Sequence, residues 1–261
     1  MDALYDPTFY EHQLSVQDRH FWFRARNRVI AAMVTRIVAS LEPGYRVLEV
    51  GCGAGTVLGV LEKECVQGKV IGVDLFAEGL RYARRQTSCS LVQAELDHLP
   101  FTTPFDIIGL FDVLEHQRDD MNILHKLGAH LKPGGVLLLT VPAHRRLWSY
   151  WDEASLHWRR YQPAELESKL KQAGYRIDYM TQFMVSLYPV MWLFRRLGSW
   201  LRRRGAKAGA QSQYVAAREF KVVPVVNELM GCLLSLELPQ ISRRRRLPIG
   251  TSLLAIARKD S

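Results

Sequence analysis

Apolar residues Ile30, Val34, Ile37 and Leu41 recur at helical spacing with Arg24, Arg26, Arg28 and Arg36 around them, which predicts an amphipathic helix stopped by Pro43-Gly44. An aromatic cluster, His20-Phe21-Trp22-Phe23, precedes it. From Arg46 onward the period changes. Short β-branched or apolar runs at 46–50, 70–74, 90–93, 106–112 and 136–141 alternate with helical stretches, the pattern of a parallel sheet with crossover helices. After Val141 comes a polar, aromatic stretch, Pro142 to Tyr161, then a helix from Pro163 to about Ala173 that Gly174 closes. Residues 175–183 and 251–258 read as a sixth and a seventh strand. Roughly 65 residues separate them, far beyond a usual connection, and read as an inserted cap. The insertion carries an apolar run (Phe183 to Phe194), arginines at 195, 196 and 202–204, and a small-residue linker at 205–210. A second apolar helix near Val225 to Leu238 and the run Arg243 to Arg246 complete it.

Composition narrows the class. With 261 residues, 48% hydrophobic and 23% charged, the chain can bury a full core, which excludes wholesale disorder and a polytopic membrane protein. Cys52, Cys65, Cys89 and Cys232 form neither a CxxC pair nor a zinc pattern, so a reducing cytosol and no metal are expected. Met1 to Tyr10 carries acids in place of a basic stretch and apolar core, so no secretory signal is expected there. Charge is unevenly placed. Residues 1–160 hold 18 Lys+Arg against 19 Asp+Glu, whereas 161–261 hold 17 against 7, which places the whole formal excess of +9 in the C-terminal part. Such an excess suits an anionic partner such as phospholipid, or a solvated arginine-rich helix.

The strand at 46–50 runs directly into Gly51-Cys52-Gly53-Ala54-Gly55-Thr56, and Val57 to Lys63 is helical. Glycines at such a turn permit positive φ and let a ligand approach backbone, while the helix start offers free N–H groups. Val70-Ile71-Gly72-Val73-Asp74 follows as a second strand ending in a carboxylate some twenty residues on, placed to accept hydrogen bonds from a ribose diol. A nicotinamide dinucleotide fold shares this layout, but its fingerprint asks for glycine at the sixth loop position, which here is Thr56.

Val47-Leu48-Glu49-Val50-Gly51-Cys52-Gly53-Ala54-Gly55-Thr56 resembles the first motif of class I S-adenosylmethionine-dependent methyltransferases. Further motifs arrive in order: Asp74, then Ala94-Glu95-Leu96-Asp97-His98-Leu99-Pro100-Phe101, Phe111-Asp112-Val113-Leu114-Glu115-His116, and Leu131-Lys132-Pro133-Gly134-Gly135. They cover roughly residues 45 to 141, and the flanks 20–26 and 142–161 look like a bacterial branch of the family with an aromatic lid. The resemblance implies a Rossmann-like seven-stranded sheet, mostly parallel with the last strand antiparallel, and helices on both faces. It implies S-adenosylmethionine as cofactor and S-adenosylhomocysteine as product. The implied contacts are Asp74 on the ribose, Glu95 at the adenine amino group, and Leu75, Phe76 and Leu96 around the ring, with Phe111 also against the cofactor. Gly51, Cys52, Gly53 and Gly55 would approach the tail through backbone, with Glu49 facing its ammonium. Where the family more often carries aspartate, this chain has Glu95.

Methyl transfer from a sulfonium is an in-line displacement in which the protein excludes water and aligns the acceptor, an effect worth about 7–11 kcal/mol. For a hydroxyl acceptor a base adds roughly 10²–10⁴-fold, and histidine titrates in the useful range. Candidates at the carboxyl edges of the strands are His157 first, then His116 and Asp112. Trp22 and Arg26 would belong to the lid, and His144, Arg160 and Tyr161 would bind the acceptor.

Three units follow: lid helices at 1–43, the cofactor domain at 44–183 plus 250–261, and a basic, apolar helical insertion at 184–249. The run 183–194 is too short to span a bilayer, which takes ~20 residues, yet has the make-up of a segment that lies in an anionic interface. A cap over a soluble acceptor and a homodimer contact are the other readings of the insertion. The expected reaction is methylation, oxygen favoured over nitrogen or carbon, of a sugar, lipid, quinone or secondary metabolite, in the cytoplasm or peripherally at the inner membrane. A nicotinamide oxidoreductase, a non-catalytic binding module and a transfer RNA methyltransferase are the competing readings. The last lacks any recognised reading module.

Overall fold

A computed structural model describes residues 16–193 and 223–260. Met1 to Tyr10, the end of the apolar run at Phe194, the arginines at 195, 196 and 202–204 and the linker at 205–210 lie outside the described residues. Seven strands form one sheet: β1 (Arg46–Val50), β2 (Lys69–Asp74), β3 (Ser90–Gln93), β4 (Phe105–Phe111), β5 (Leu131–Pro142), β6 (Tyr175–Phe183) and β7 (Ser252–Lys259). Their order is β3-β2-β1-β4-β5-β7-β6. β1 pairs with both β2 and β4 in parallel, and β7 alone runs antiparallel, against β5 and β6. The expected fold class is the observed one.

Why the sheet forms is visible in its strands. Leu48, Val50, Ile108, Leu110, Leu137 and Leu139 face one helical layer, and Val47, Ile107, Val136 and Leu138 face the other. Strands covered on both sides read as continuous apolar runs. The crossovers α2 (Thr56–Glu64), α3 (Ala77–Gln86) and α4 (Asp120–Ala129) follow β1, β2 and β4. Chain order reverses between β1 and β4, and in such a sheet the crevice at the C-terminal ends of these two strands is where ligands bind.

The N-terminal helix, α1 (Phe21–Val38), begins earlier than the apolar spacing predicts: the aromatic cluster forms its first turn, with His20 as the cap whose ring nitrogen accepts from the Trp22 N–H. Val29, Ile30, Met33, Val34 and Ile37 are buried against Val57, Leu58 and Leu61 of α2. At about 1.5–3 kcal/mol per fully buried side chain, this half of the expected lid is a fixed part of the core. The insertion is built onto it. After helical residues 187–193 and the interval outside the described residues, α7 (Pro224–Ser235) and α8 (Leu238–Ser242) pack against α1. Buried Asn227 accepts from the Phe21 N–H at 2.8 Å and donates to the Arg19 carbonyl at 2.9 Å. The stretch 142–161 folds back on itself through α5 (Tyr150–Ala154) before α6 (Pro163–Gln172), which starts on a Gln162–Glu165 capping box.

Candidate active site

The loop after β1 turns through three left-handed glycines, Gly51, Gly53 and Gly55. A Cβ on Gly51 would sit 2.5 Å from Val113 Cγ2, so this glycine lets the loops after β1 and β4 meet. At Gly53 nothing lies within 4 Å of the position a Cβ would take, which leaves open space beside the backbone. The Gly53 N–H donates to Asp74 Oδ2 at 2.7 Å, and the Phe76 N–H donates to Oδ1 at 2.9 Å. Asp74 is 6% exposed; burial raises its carboxyl above the ordinary range, against these backbone bonds. The tips of β1 and β2 are thereby joined around one carboxylate.

Glu49 is buried at the end of β1, and its Oε2 has no hydrogen-bond partner among the described residues. Burial, opposed by Arg26 and reinforced by Asp74, holds its carboxyl well above the usual range. A buried acceptor left without a donor costs about 1–3 kcal/mol, and a ligand ammonium would satisfy it. An orphaned acid, a carboxylate at the second strand tip and open space at Gly53 fit the tail, ribose and backbone approach of S-adenosylmethionine.

Other predicted contacts divide. The Ala94 N–H donates to the Asp74 carbonyl at 3.1 Å, which brings Glu95 to the crevice rim, exposed and 3.7 Å from His98 Nδ1. Leu75 is 42% exposed and Leu96 is partly buried. The side chains of Cys52 and Phe111 lie in the core, so these positions can offer a ligand only backbone.

On the facing side, Asp112 has φ +54 and accepts from Arg26 Nη1 at 2.8 Å. The Arg26 guanidinium lies 5.0 Å from the Trp22 ring centroid and 5.5 Å from that of Phe23. Two lid residues and a candidate catalytic acid therefore form one contact at the mouth of the crevice, close enough for Arg26 to act on Glu49.

Beyond Asp112 the chain makes a short 3-10 turn, Leu114–His116, and meets the stretch 142–161. His116 and His157 stack edge to face with ring centroids 4.7 Å apart. Burial, then the neighbouring His157, push His116 down to about 3. His157 Nδ1 lies 3.1 Å from Asp152 Oδ1, which also takes Arg160 Nε at 2.5 Å; Asp152 Oδ2 accepts from the Ser149 N–H at 2.9 Å. Asp152 is fully buried, and although burial raises its carboxyl, His157 and Arg160 outweigh that and hold it below the ordinary range. This carboxylate organises the whole stretch, and it fixes His157 so that Nε2 is the nitrogen left for chemistry.

The expected acceptor ligands take other partners. Arg160 is 4% exposed, bonded to Asp152 and to the Ala143 carbonyl. Tyr161 is fully buried, its hydroxyl donating to Asp120 at 2.8 Å. His144 is buried with both ring nitrogens near the Gln162 and Gln182 side-chain oxygens. Residues 142–161 must cross the end of the sheet, and their long polar side chains satisfy buried groups there. Trp158, whose indole is exposed, borders the histidine pair, and its backbone N–H donates to the Glu115 carbonyl at 2.8 Å. Sequence reading missed Asp152 and Asn227 and gave Glu115, inside the motif at 111–116, no role; Asp152 left a trace as N3 of a capping box opened by Ser149.

A family model described as a methyltransferase domain matches residues 22–179. Trans-aconitate 2-methyltransferase of Azoarcus sp. is 31% identical over 149 residues, 57% of this chain and 56% of that protein. The ubiquinone biosynthesis O-methyltransferase of Xanthomonas campestris pv. campestris is 33% identical over 105 residues, 38% of this chain and 43% of that protein. The chain thus spans only about half the length of these curated relatives. Among solved structures, a chain of the complex between the Haloferax volcanii Trm112 methyltransferase activator and a methyltransferase superposes with a TM-score of 0.62 at 18% identity, covering 98% of this chain and 97% of that one, a likeness of fold. With the family match extending from the first turn of α1 to β6, the chain belongs to the methyltransferase-domain family of the class I, S-adenosylmethionine-dependent type.

Proposed function

We propose that this chain transfers a methyl group from S-adenosylmethionine to a hydroxyl of a small or lipid-linked acceptor. The observation that carries the cofactor half is the buried, unpartnered Glu49 Oε2 beside Asp74 and the open backbone of Gly53. The bound cofactor supplies an electrophilic methyl on a sulfonium. Asp74 would hold the ribose, Glu49 the ammonium of the tail, and Glu95, Leu75 and Leu96 the adenine at the rim. Arg26, clasped by Asp112 and covered by Trp22, would close the mouth and exclude water.

Oxygen is favoured as the accepting atom because the crevice ends on His116 and His157. In the metal-free chain, His157 Nε2 would take the hydroxyl proton while Asp152 holds Nδ1. Trp158 offers an aromatic face to an acceptor with an apolar body, and relatives that include a ubiquinone biosynthesis O-methyltransferase favour the same class. The test is a panel of hydroxylated quinols, glycans and lipid-linked sugars, scored by the acceptor's gain in mass. A methyl ether on one of them, with kcat lowered roughly 10²–10⁴-fold in His157→Asn and S-adenosylhomocysteine affinity unchanged, supports the reading. Methylation confined to nitrogen or carbon would contradict it.

A further inference from the structure

Three side chains at the far end of the crevice converge without a part in cofactor binding. One ligand atom each from Glu115, His116 and His157 lies within 4.8 Å of the others. Glu115 is 1% exposed, and its Oε2 has no hydrogen-bond partner among the described residues. The nearby guanidinium of Arg160 is committed to Asp152 and to the Ala143 carbonyl. A carboxyl group so placed is costly to ionise by itself, and burial, then Asp112, hold it well above the ordinary range.

Both imidazoles are oriented by their second nitrogen. His157 Nδ1 faces the Asp152 carboxylate at 3.1 Å, and His116 bonds the Leu156 carbonyl. Leu156 itself holds a positive φ of +57, a strained conformation for a branched side chain and a mark of an over-determined loop. Each ring thus keeps one nitrogen lone pair for a ligand, with a carboxylate or a backbone carbonyl behind it, as metal-binding histidines are supported. Two imidazoles and one carboxylate suit a borderline transition ion, whereas magnesium and calcium call for oxygen donors.

We propose that Glu115, His116 and His157 bind one divalent transition-metal ion of the zinc type. Bonds of about 2.0–2.2 Å place tetrahedral ligand atoms about 3.3 Å apart, so the three side chains need to draw together by no more than about 1.5 Å. The ion gives the Glu115 carboxylate the counter-charge that the protein leaves out. Three protein ligands leave a fourth position open toward the crevice. An acceptor hydroxyl there is acidified and loses its proton to solvent water; its oxygen lone pair then forms the bond to the methyl carbon as the carbon–sulfur bond breaks, and the sulfur leaves as a neutral thioether. In this state His157 Nε2 is a ligand, and the acidified hydroxyl replaces the base described for the metal-free chain. The catalytic role rests on the methyl-transfer reading; binding of the ion does not.

The test uses the full chain after dialysis against a chelator. Zinc is titrated calorimetrically, and cobalt(II) by visible absorption, which reports tetrahedral coordination directly. The expected result is one equivalent of either ion per chain, no binding of magnesium, and at least tenfold weaker zinc in Glu115→Gln and in His157→Asn. His116→Asn serves as the second ligand variant if Glu115→Gln does not fold, as judged by circular dichroism. Zinc bound equally by wild type and folded variants, or no stoichiometric zinc or cobalt site, overturns the proposal. S-adenosylhomocysteine binding, followed in parallel, stays unchanged in the folded variants; its loss in wild type would strike the methyl-transfer reading and leave the metal result standing.

Discussion

At the scale of single residues, Glu49 sets ligand binding against stability. Its ordinary carboxyl value is about 4.3, and in the folded chain it is raised. A raised acid binds more protons folded than unfolded, so between these two values the ligand-free chain loses stability as pH rises. Glu49→Gln should therefore raise the ligand-free melting temperature by a few degrees at pH 8 and weaken S-adenosylhomocysteine binding by about 1–3 kcal/mol. A variant that is both less stable and unimpaired in binding would deny Glu49 this role. Asp120 has the opposite sign: burial raises it, but Lys169, Tyr161 and Arg159 together hold it below the ordinary range. Its contribution is present above about 3.9 and is lost as pH falls through the depressed folded value. Asp120→Asn should cost about 1–3 kcal/mol at pH 7 and flatten the acid limb of stability against pH, read by thermal unfolding. Glu49, the glycines and Asp74 were legible in the sequence because each must sit at a strand tip with fixed spacing. Tyr161 and Arg160 were not: a polar residue in a loop looks alike whether it faces a ligand or satisfies a buried carboxylate such as Asp120 or Asp152.

At the scale of elements, the sheet was legible because strands covered on both faces carry unbroken apolar runs; six strands appear within a residue of their expected bounds, and β5 begins at Leu131, five residues before the expected 136. The N-terminal helix was legible in type and not in extent. Its first turn is aromatic, and what makes those residues helical is the tertiary clasp in which Asn227 bonds the Phe21 N–H and the Arg19 carbonyl. Nothing local to residues 19–23 announces a partner two hundred positions away. The clasp has a measurable consequence. Asn227→Ala should speed amide hydrogen exchange at Phe21 and its neighbours, at a cost of about 1–3 kcal/mol in local opening, with exchange in β1 and β4 unchanged. Unaltered exchange at Phe21 would mean that α7 does not hold the start of α1.

At the scale of the whole molecule, charge and apolar exposure coincide on the insertion. Val225, Val226, Leu229, Leu233 and Leu236 of α7 and the turn that follows it are exposed, and Arg243, Arg245 and Arg246 lie exposed just beyond α8. No helix of the described residues is long and apolar enough to cross a membrane. Among the readings of the insertion, this pairing favours contact with an anionic bilayer surface, where basic residues contribute about 1 kcal/mol each. The chain should co-float with vesicles containing anionic phospholipid at low salt and be released by high salt, and Leu229→Glu with Leu233→Glu should abolish flotation. Retention by neutral vesicles alone, or none at all, would remove the membrane from the account. What was not legible at this scale is that lid, insertion and sheet share one core. Everything nonetheless turns on one pocket at the β1 and β2 tips, and calorimetric titration with S-adenosylhomocysteine interrogates it most directly. The account requires one site per chain in wild type and at least about tenfold weaker binding in Asp74→Ala; no heat of binding in wild type, or equal affinity in a folded Asp74→Ala, would contradict it.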